Sequence, residues 1–141
     1  YTKRGVRYLW LDDRNRAEKD LLKAVDLNPD NAEAHDDLGV LLSKRGDYEQ
    51  AIVHFMTTTR LDPDYQHGYH NLAMMLFITG QDETALTEVN RALDLSPDYR
   101  DSLLLKSKIL EAMGKTEEAI SIREDAEFLP QGNWSERVPL Q

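Results

Sequence analysis

The chain has 141 residues, of which 40% are hydrophobic, and its formal net charge is −9. It has no cysteine, which excludes disulfides, thiolate metal ligands and a cysteine nucleophile. The acidic balance argues against nucleic acid or an anionic membrane surface as the partner, because both require basic side chains. No apolar run approaches the ~18 residues of a membrane helix, so we predict no direct membrane insertion.

The sequence begins with Tyr1 rather than methionine, and no charged and apolar leader pattern follows it. We therefore expect the chain to be a piece of a longer protein. The compartment is not readable from composition. We favour the cytoplasm and keep a periplasmic or membrane-anchored parent protein open.

The first segment reads as two helical stretches. Residues 1–11 have the pattern of the later part of a helix, and Asp12-Asp13 forms a polar break. Residues 14–27 carry apolar side chains at helical spacing. Pro29 ends this stretch, because proline disfavours helical geometry in the residue before it.

The second segment is the most complete. Asp30 is predicted to cap the next helix, with Glu33 as its capping-box partner. A helix is predicted over 32–44, and Gly46 supplies the positive φ that helix C-termini often use. A second helix over 48–61 follows, and so short a link predicts antiparallel packing of the pair.

The same order returns twice. The remaining predicted helices span residues 66–79, 82–95, 100–113 and 116–128. Residues 130–141 show no helical period and are predicted to form an irregular tail. Trp134 favours docking of this tail on the last helix pair; insertion into a groove of its own or a neighbouring copy, and disorder, are the alternatives.

A shift of 34 residues brings small residues of the four segments into register. Two such columns are Gly5, Gly39, Ala73, Ser107 and Ala17, Ala51, Ala85, Ala119. Small side chains at these places indicate that two helix backbones approach closely.

The pattern resembles the tetratricopeptide repeat. The residues that carry the resemblance are Leu38-Gly39, Gly46-Asp47-Tyr48, Ala51-Ile52, Phe55, Leu61 and Pro63. The resemblance implies an all-α, right-handed α-solenoid of about four antiparallel helix pairs, the superhelix typical of that family. The predicted repeat domain spans residues 1–129, with repeats at about 1–31, 32–65, 66–99 and 100–129, and the tail spans 130–141.

Some positions depart from the family pattern. His35 stands where the family usually has tryptophan, and Thr58 stands where it usually has alanine. Lys106 and Arg123 make the fourth copy more polar than the others, which is typical of the end cap of a stacked array.

No catalytic signature is present, so we predict a protein that is not an enzyme and needs no cofactor. His67 and His70 share one helix face and could begin a metal site with Asp36 or Asp101 on adjacent helices. No third strong ligand has suitable spacing, so we favour a polar pair in a groove and predict no metal. We expect His35 to pack in the core and His54 to face solvent.

The resemblance also implies a concave groove lined by the first helix of each repeat. The predicted groove residues are Asp36, Val40, Lys44, His67, His70, Asn71, Met74, Phe77, Asp101, Leu104 and Lys108. The function predicted from it is a non-catalytic scaffold that binds a peptide or protein segment. The partner would carry apolar anchors with basic flanks. The alternative for the groove floor is that Met74, Phe77 and Ile78 are mostly buried against the neighbouring second helix.

Two further predictions concern partners. One subclass of the family grips the C-terminal carboxylates of heat-shock chaperones with cationic clamp residues. The corresponding places here hold Thr2, Val6, Asp37, His67 and Asn71, so we predict against that ligand. The alternative function is a self-assembly module that forms a homo-oligomer through the repeat ends or the tail.

Overall fold

The computed structural model describes residues 3–129, and the side chains of residues 15–129. This part of the chain is all-α and contains seven helices. They are α1 (Lys3–Leu27), α2 (Ala32–Lys44), α3 (Tyr48–Leu61), α4 (Gln66–Ile78), α5 (Asp82–Leu95), α6 (Arg100–Ala112) and α7 (Thr116–Glu127). The tail predicted for residues 130–141, with Trp134, lies outside the described residues.

The helices divide into two compact units. The N-terminal unit ends at Asp64 and contains α1, α2 and α3; the C-terminal unit begins at Tyr65 and contains α4 to α7. Within the units, α2 packs on α3, α4 on α5, and α6 on α7. The division falls in the link between the predicted second and third repeats. The division into one repeat domain and a tail stays a prediction.

The predicted break at Asp12-Asp13 is wrong, because α1 runs through it without interruption. The repeat register explains why. Asp12 occupies the place that Gly46 takes in the second segment, and Gly46 has a φ of 85°. The first segment has no glycine there, so the chain has no residue that adopts this conformation at little cost.

The helix ends follow the predicted chemistry with one correction. Gly46, Gly80 and Gly114 all have positive φ, as predicted. The amide of Asp47, just after the first of them, donates to the Leu42 carbonyl at 2.9 Å and closes the end of α2. The residue that caps the start of α2 is Asn31 rather than Asp30; its Oδ1 accepts from the Ala34 amide at 3.1 Å. This is the bond that satisfies an otherwise unpaired donor in the first turn.

The small-residue columns lie where the two helices of a pair come closest. A Cβ atom built on Gly39 would lie 2.6 Å from the Phe55 ring, so only glycine fits there. Ala51 and Ala85 are completely buried on the second helices. Thr58 is also fully buried, and its hydroxyl donates to the His54 carbonyl at 3.0 Å. Its polar atom is therefore satisfied where the family usually has alanine.

The Gly39–Phe55 contact yields a prediction. The third segment has Ala73 and Val89 at the two equivalent places, and both are completely buried. We expect Gly39→Ala alone to lower the free energy of unfolding by roughly 1–3 kcal/mol, because it overpacks a filled site. The same change made in a Phe55→Val background should cost less, because the smaller side chain leaves room for the methyl group.

Chemical denaturation of the four chains of this double-mutant cycle measures the coupling. Equal costs of Gly39→Ala in both backgrounds would show that the ring does not restrict the site.

Candidate peptide-binding surface

A continuous stripe runs along the outer side of α4 in the C-terminal unit. It consists of His67, Asn71, Met74 and Ile78, spaced four, three and four residues apart, so the four share one helix face. Met74 is 36% exposed and Ile78 48% exposed. Phe77, beside the stripe, is half-buried. Met74 and Ile78 are therefore partly exposed, and Phe77 is the most covered of the three.

A second stripe runs along α6, the other first helix of this unit. Asp101 and Lys108 are exposed, and Leu104 between them is half-buried. α5 packs against both α4 and α6, and the two first helices also contact each other directly. We call the residues of these two stripes (His67, Asn71, Met74, Ile78, Asp101, Leu104 and Lys108) the α4–α6 face.

A polar cluster joins the N-terminal ends of α4 and α6 beneath this face. His70 is buried, and its Nδ1 lies 2.8 Å from the Ser102 hydroxyl. Gln66 donates its Nε2–H to the same hydroxyl at 3.2 Å. Ser102 is itself fully buried, so this shared hydroxyl fixes the two helix starts against each other.

Tyr99 closes the cluster on its outer side. Its ring meets those of His67 and His70 edge-on, with centroids 5.3 Å and 5.9 Å apart. Burial, the charge of Asp101 and a hydrogen bond to that carboxylate raise the pKa of Tyr99. A phenol that keeps its proton donates to Asp101 and holds the carboxylate at the edge of the face.

His67 and His70 differ in their surroundings, although they share a helix face. His67 is exposed, with its ring also close to Tyr65, while His70 is buried. Burial lowers the pKa of His70; the charge of Asp101 opposes this, and His67 adds to it. The two histidines are therefore not the solvated pair that the sequence suggested.

The predicted groove residues of the N-terminal unit lie on α2. Asp36 is buried, Val40 is half-buried and Lys44 is exposed. Asp37 is exposed next to them, and its pKa is raised by partial burial and by the neighbouring charges of Asp36 and Glu33. Carboxylates crowded in this way create a negative potential along α2.

The sequence did not single out Tyr99 and Ser102 as site residues. The 34-residue register could have drawn attention to Tyr99. It aligns with Asn31 and Tyr65, and each of the three residues immediately precedes a first helix. Ser102 has no comparable signal, because its equivalents are Ala34 and Gly68.

The other two histidines form a pair within the N-terminal unit. The Nδ1 atoms of His35 and His54 lie 3.1 Å apart, and their rings are stacked, with centroids 5.3 Å apart and an interplanar angle of 29°. Nε2 of His35 lies 2.9 Å from the Pro29 carbonyl, which only accepts, so this nitrogen carries the proton. His54 then donates to His35. His35 is buried as predicted, but His54 is half-buried rather than facing solvent.

No group of three or more potential ligands among the residues that the structure describes is placed to hold a metal ion. Within the same residues, no helix is long and apolar enough to cross a membrane.

Family models match the chain in two places. Tetratricopeptide repeat models match residues 21–53 and residues 67–99. The chain is a tetratricopeptide repeat protein. The second match coincides with the α4–α5 pair, and the first spans the end of α1, all of α2 and the start of α3. The all-α solenoid fold of this family is the fold of the chain.

Several solved structures share the all-α solenoid fold. A crystal structure of MamA is 23% identical, with a TM-score of 0.78, over 89% of this repeat protein and 74% of MamA. Another, MamA AMB-1, is 22% identical, with a TM-score of 0.77, over 97% of this chain and 75% of the other. At these identities the likeness concerns the fold alone.

An O-GlcNAc transferase variant from Thermobaculum terrenum is 31% identical over 70% of the chain, with a TM-score of 0.65. The match covers only 19% of that transferase, so it concerns a small part of an enzyme. No match was found among curated protein sequences.

Burial of His70 yields a pH prediction. Its pKa is lowered in the folded protein, so the unfolded chain binds more protons as the pH falls below the ordinary histidine value of about 6.5. The stabilisation by neutral His70 is therefore complete above that pH and is lost as the pH falls. We expect the free energy of unfolding to decrease below about pH 6.5, and to decrease less in His70→Gln.

Denaturation series across this pH range measure the slope for the native chain, for His70→Gln and for a control, Lys108→Gln. Identical slopes in the native chain and His70→Gln would contradict the predicted role of His70.

Proposed function

We propose that this protein is a non-catalytic scaffold that binds a peptide or protein segment along its first helices. The single observation that carries the proposal is the partly exposed apolar row of Met74 and Ile78 on α4. Both lie on a helix face whose other members, His67 and Asn71, are polar. An apolar pair inside a polar rim is the usual composition of a surface that anchors a partner.

The shape of these side chains favours an adaptable anchor site. Methionine is unbranched and polarisable, so Met74 adjusts to apolar partners of different shape. The half-buried Phe77 and Leu104 support this floor from below. We therefore expect the bound segment to insert leucine, methionine or phenylalanine side chains here.

Charge favours basic residues on both sides of these anchors. The exposed carboxylates of Asp101 and Glu111 lie on α6 in the C-terminal unit, and Glu33 and Asp37 are exposed on α2 in the N-terminal unit. Among the proposed surface residues, Lys108 and Lys44 carry a positive charge instead. A segment with lysine or arginine beside its apolar anchors complements such a surface and is steered towards it.

The other proposed residues have indirect roles. His70 and Asp36 are buried, so we infer that they position the first helices rather than contact the partner. His67 is exposed and offers a hydrogen-bonding group at the edge of the surface. The positions that correspond to the cationic clamp of the chaperone-binding subclass hold no lysine or arginine here; two of them are Asp37 and Asn71. An anionic chaperone tail is therefore disfavoured as the partner.

A second candidate function is self-association. Leu27, at the end of α1, is 77% exposed, and Phe128, directly after α7, is 88% exposed. Large exposed apolar side chains at the ends of the first and the last repeat favour contacts between copies, as stacked repeat proteins use between neighbouring units.

We expect Met74→Glu with Ile78→Glu to weaken binding of basic-flanked apolar peptides by at least about tenfold. The estimate corresponds to the loss of about 1.4 kcal/mol, less than the burial energy of one large apolar side chain. The measurement is fluorescence anisotropy with two peptide libraries. Both carry the same apolar anchors, but one has lysine and arginine flanks and the other has aspartate and glutamate flanks.

The matched control is Met56→Glu. Met56 is 55% exposed, more than Met74, but it lies on a second helix, α3. Its substitution should leave peptide binding unchanged. Equal losses in both variants, or equal binding of the two libraries, would refute the proposed surface.

A further inference from the structure

Two aromatic rings and one carboxylate lie together at one end of the α4–α6 face. The ring of Tyr99 meets the exposed ring of His67 edge-on, with centroids 5.3 Å apart and an interplanar angle of 88°. Tyr99 is half-buried, and Asp101, two residues further on, is exposed in the first turn of α6. We call Tyr99, His67 and Asp101 the ring–carboxylate site.

The carboxylate of Asp101 is held in place by its neighbours. Burial, the charge of Asp101 and a hydrogen bond to that carboxylate raise the pKa of Tyr99, so the phenol keeps its proton and remains the donor. The Tyr99 ring is fixed in turn, because it also meets the buried ring of His70 edge-on, with centroids 5.9 Å apart. Nδ1 of His70 lies 2.8 Å from the Ser102 hydroxyl. A site that is ordered before its ligand arrives loses less conformational entropy on binding.

The charge of Asp101 has no internal counterion in the part of the chain that the structure describes. None of the ion pairs between described residues includes Asp101. Arg100, its neighbour in sequence, is engaged elsewhere: its Nε–H donates to the Ala126 carbonyl at the end of α7, at 3.2 Å. An exposed and oriented carboxylate of this kind complements a cation that comes from a partner.

The combination of rings and a carboxylate suits arginine better than lysine. A guanidinium group is planar, and its fork of N–H donors pairs with both oxygens of a carboxylate. It also stacks on flat rings and is more weakly hydrated than an ammonium group, so it leaves water more readily. The ammonium group of lysine is a compact point charge, which pairs with the carboxylate but gains less from the rings.

We propose that the ring–carboxylate site binds the side chain of one arginine of the partner segment, with the guanidinium group paired to Asp101 and packed against the rings of His67 and Tyr99. This inference rests on the proposed function, because it assigns one basic flank of the bound segment to a place on the α4–α6 face. His70 and Ser102 position Tyr99 and do not touch the arginine, since both are buried.

Helix geometry gives the spacing between this arginine and the apolar anchors. His67 and Met74 are seven residues apart on α4, which corresponds to about 10 Å at a rise of about 1.5 Å per residue. An extended segment covers this distance with three or four residues, at about 3.3 Å each. A separation of four residues places both side chains on the same side of an extended chain. We therefore expect an arginine four residues from a large apolar anchor.

Fluorescence anisotropy with designed peptides tests the site. The probe is a labelled glycine–serine peptide that carries two leucine anchors two residues apart. Arginine is placed four residues outside each anchor, so that the test does not depend on the direction of the bound chain. One reference peptide has citrulline, which is neutral and similar in shape, in place of arginine, and another has lysine. We expect the native chain to bind the arginine peptide about tenfold more tightly than the citrulline peptide, with the lysine peptide between them.

Two variants and a control locate the arginine. Asp101→Asn should remove most of the preference for arginine over citrulline, because it removes the charge that pairs with the guanidinium group. Asp94→Asn makes the same change at an exposed aspartate on the second helix α5 and should keep the preference. His67→Ala should reduce the preference for arginine over lysine, because it removes a ring but leaves the carboxylate.

The outcomes separate this site from the scaffold function. Equal binding of the arginine and citrulline peptides overturns the arginine site, and loss of that binding in Met74→Glu with Ile78→Glu shows that the scaffold function stands. A preference for arginine that survives Asp101→Asn also overturns the site, since the arginine then binds elsewhere. If the native chain binds none of the peptides, both proposals are overturned.

Discussion

The close approach of two helix backbones within each pair is the constraint on which the rest of the structure depends. Gly39 admits the ring of Phe55, and the fully buried alanines on the second helices let the first helices lie close to them. At such short separations the atoms are packed as densely as in crystals of small organic molecules. A single added methyl group therefore has to displace its neighbours. This requirement explains why small residues recur every 34 positions, while most other positions vary between the segments.

In the helix pairs that make this close contact, the sequence predicted the helix boundaries closely. The helices α2, α3 and α5 begin and end at the predicted residues, and α4, α6 and α7 end one residue early. Glycine at each turn and proline after each pair are local signals, so they act without help from the rest of the fold. The prediction failed at Asp12-Asp13, where the pattern of apolar residues continued but the glycine did not. Periodicity alone therefore did not decide between a hairpin and one long helix.

The candidate surface was predictable only in outline. The helical register placed Met74, Ile78, Asp101 and Lys108 on outer faces, and the structure exposes them. The register did not predict that His67 is exposed and His70 buried. The burial of His70 depends on Ser102 in α6 and on Tyr99 just before that helix. A contact between residues that are about one repeat apart has no signature within either helix. The same holds for His35 and His54, whose hydrogen bond joins two different helices.

Repeated positions outside the close contact show how one architecture accepts different chemistry. His54 is equivalent to Glu88 on α5. His54 has a histidine partner, whereas Glu88 is almost fully buried with Arg91 near one oxygen, and its Oε2 has no hydrogen-bond partner among the described residues. Burial raises the pKa of Glu88, and the charge of Arg91 only partly offsets this. Neither arrangement disturbs the helix pair, because Ala51 and Ala85 beside them are equally buried.

The positions that determine the fold and those that meet a partner are therefore largely separate sets. This separation explains why the family is evident from the small and breaker residues, whereas the binding partner depends on side chains such as Met74 and Ile78 that the fold leaves free to vary.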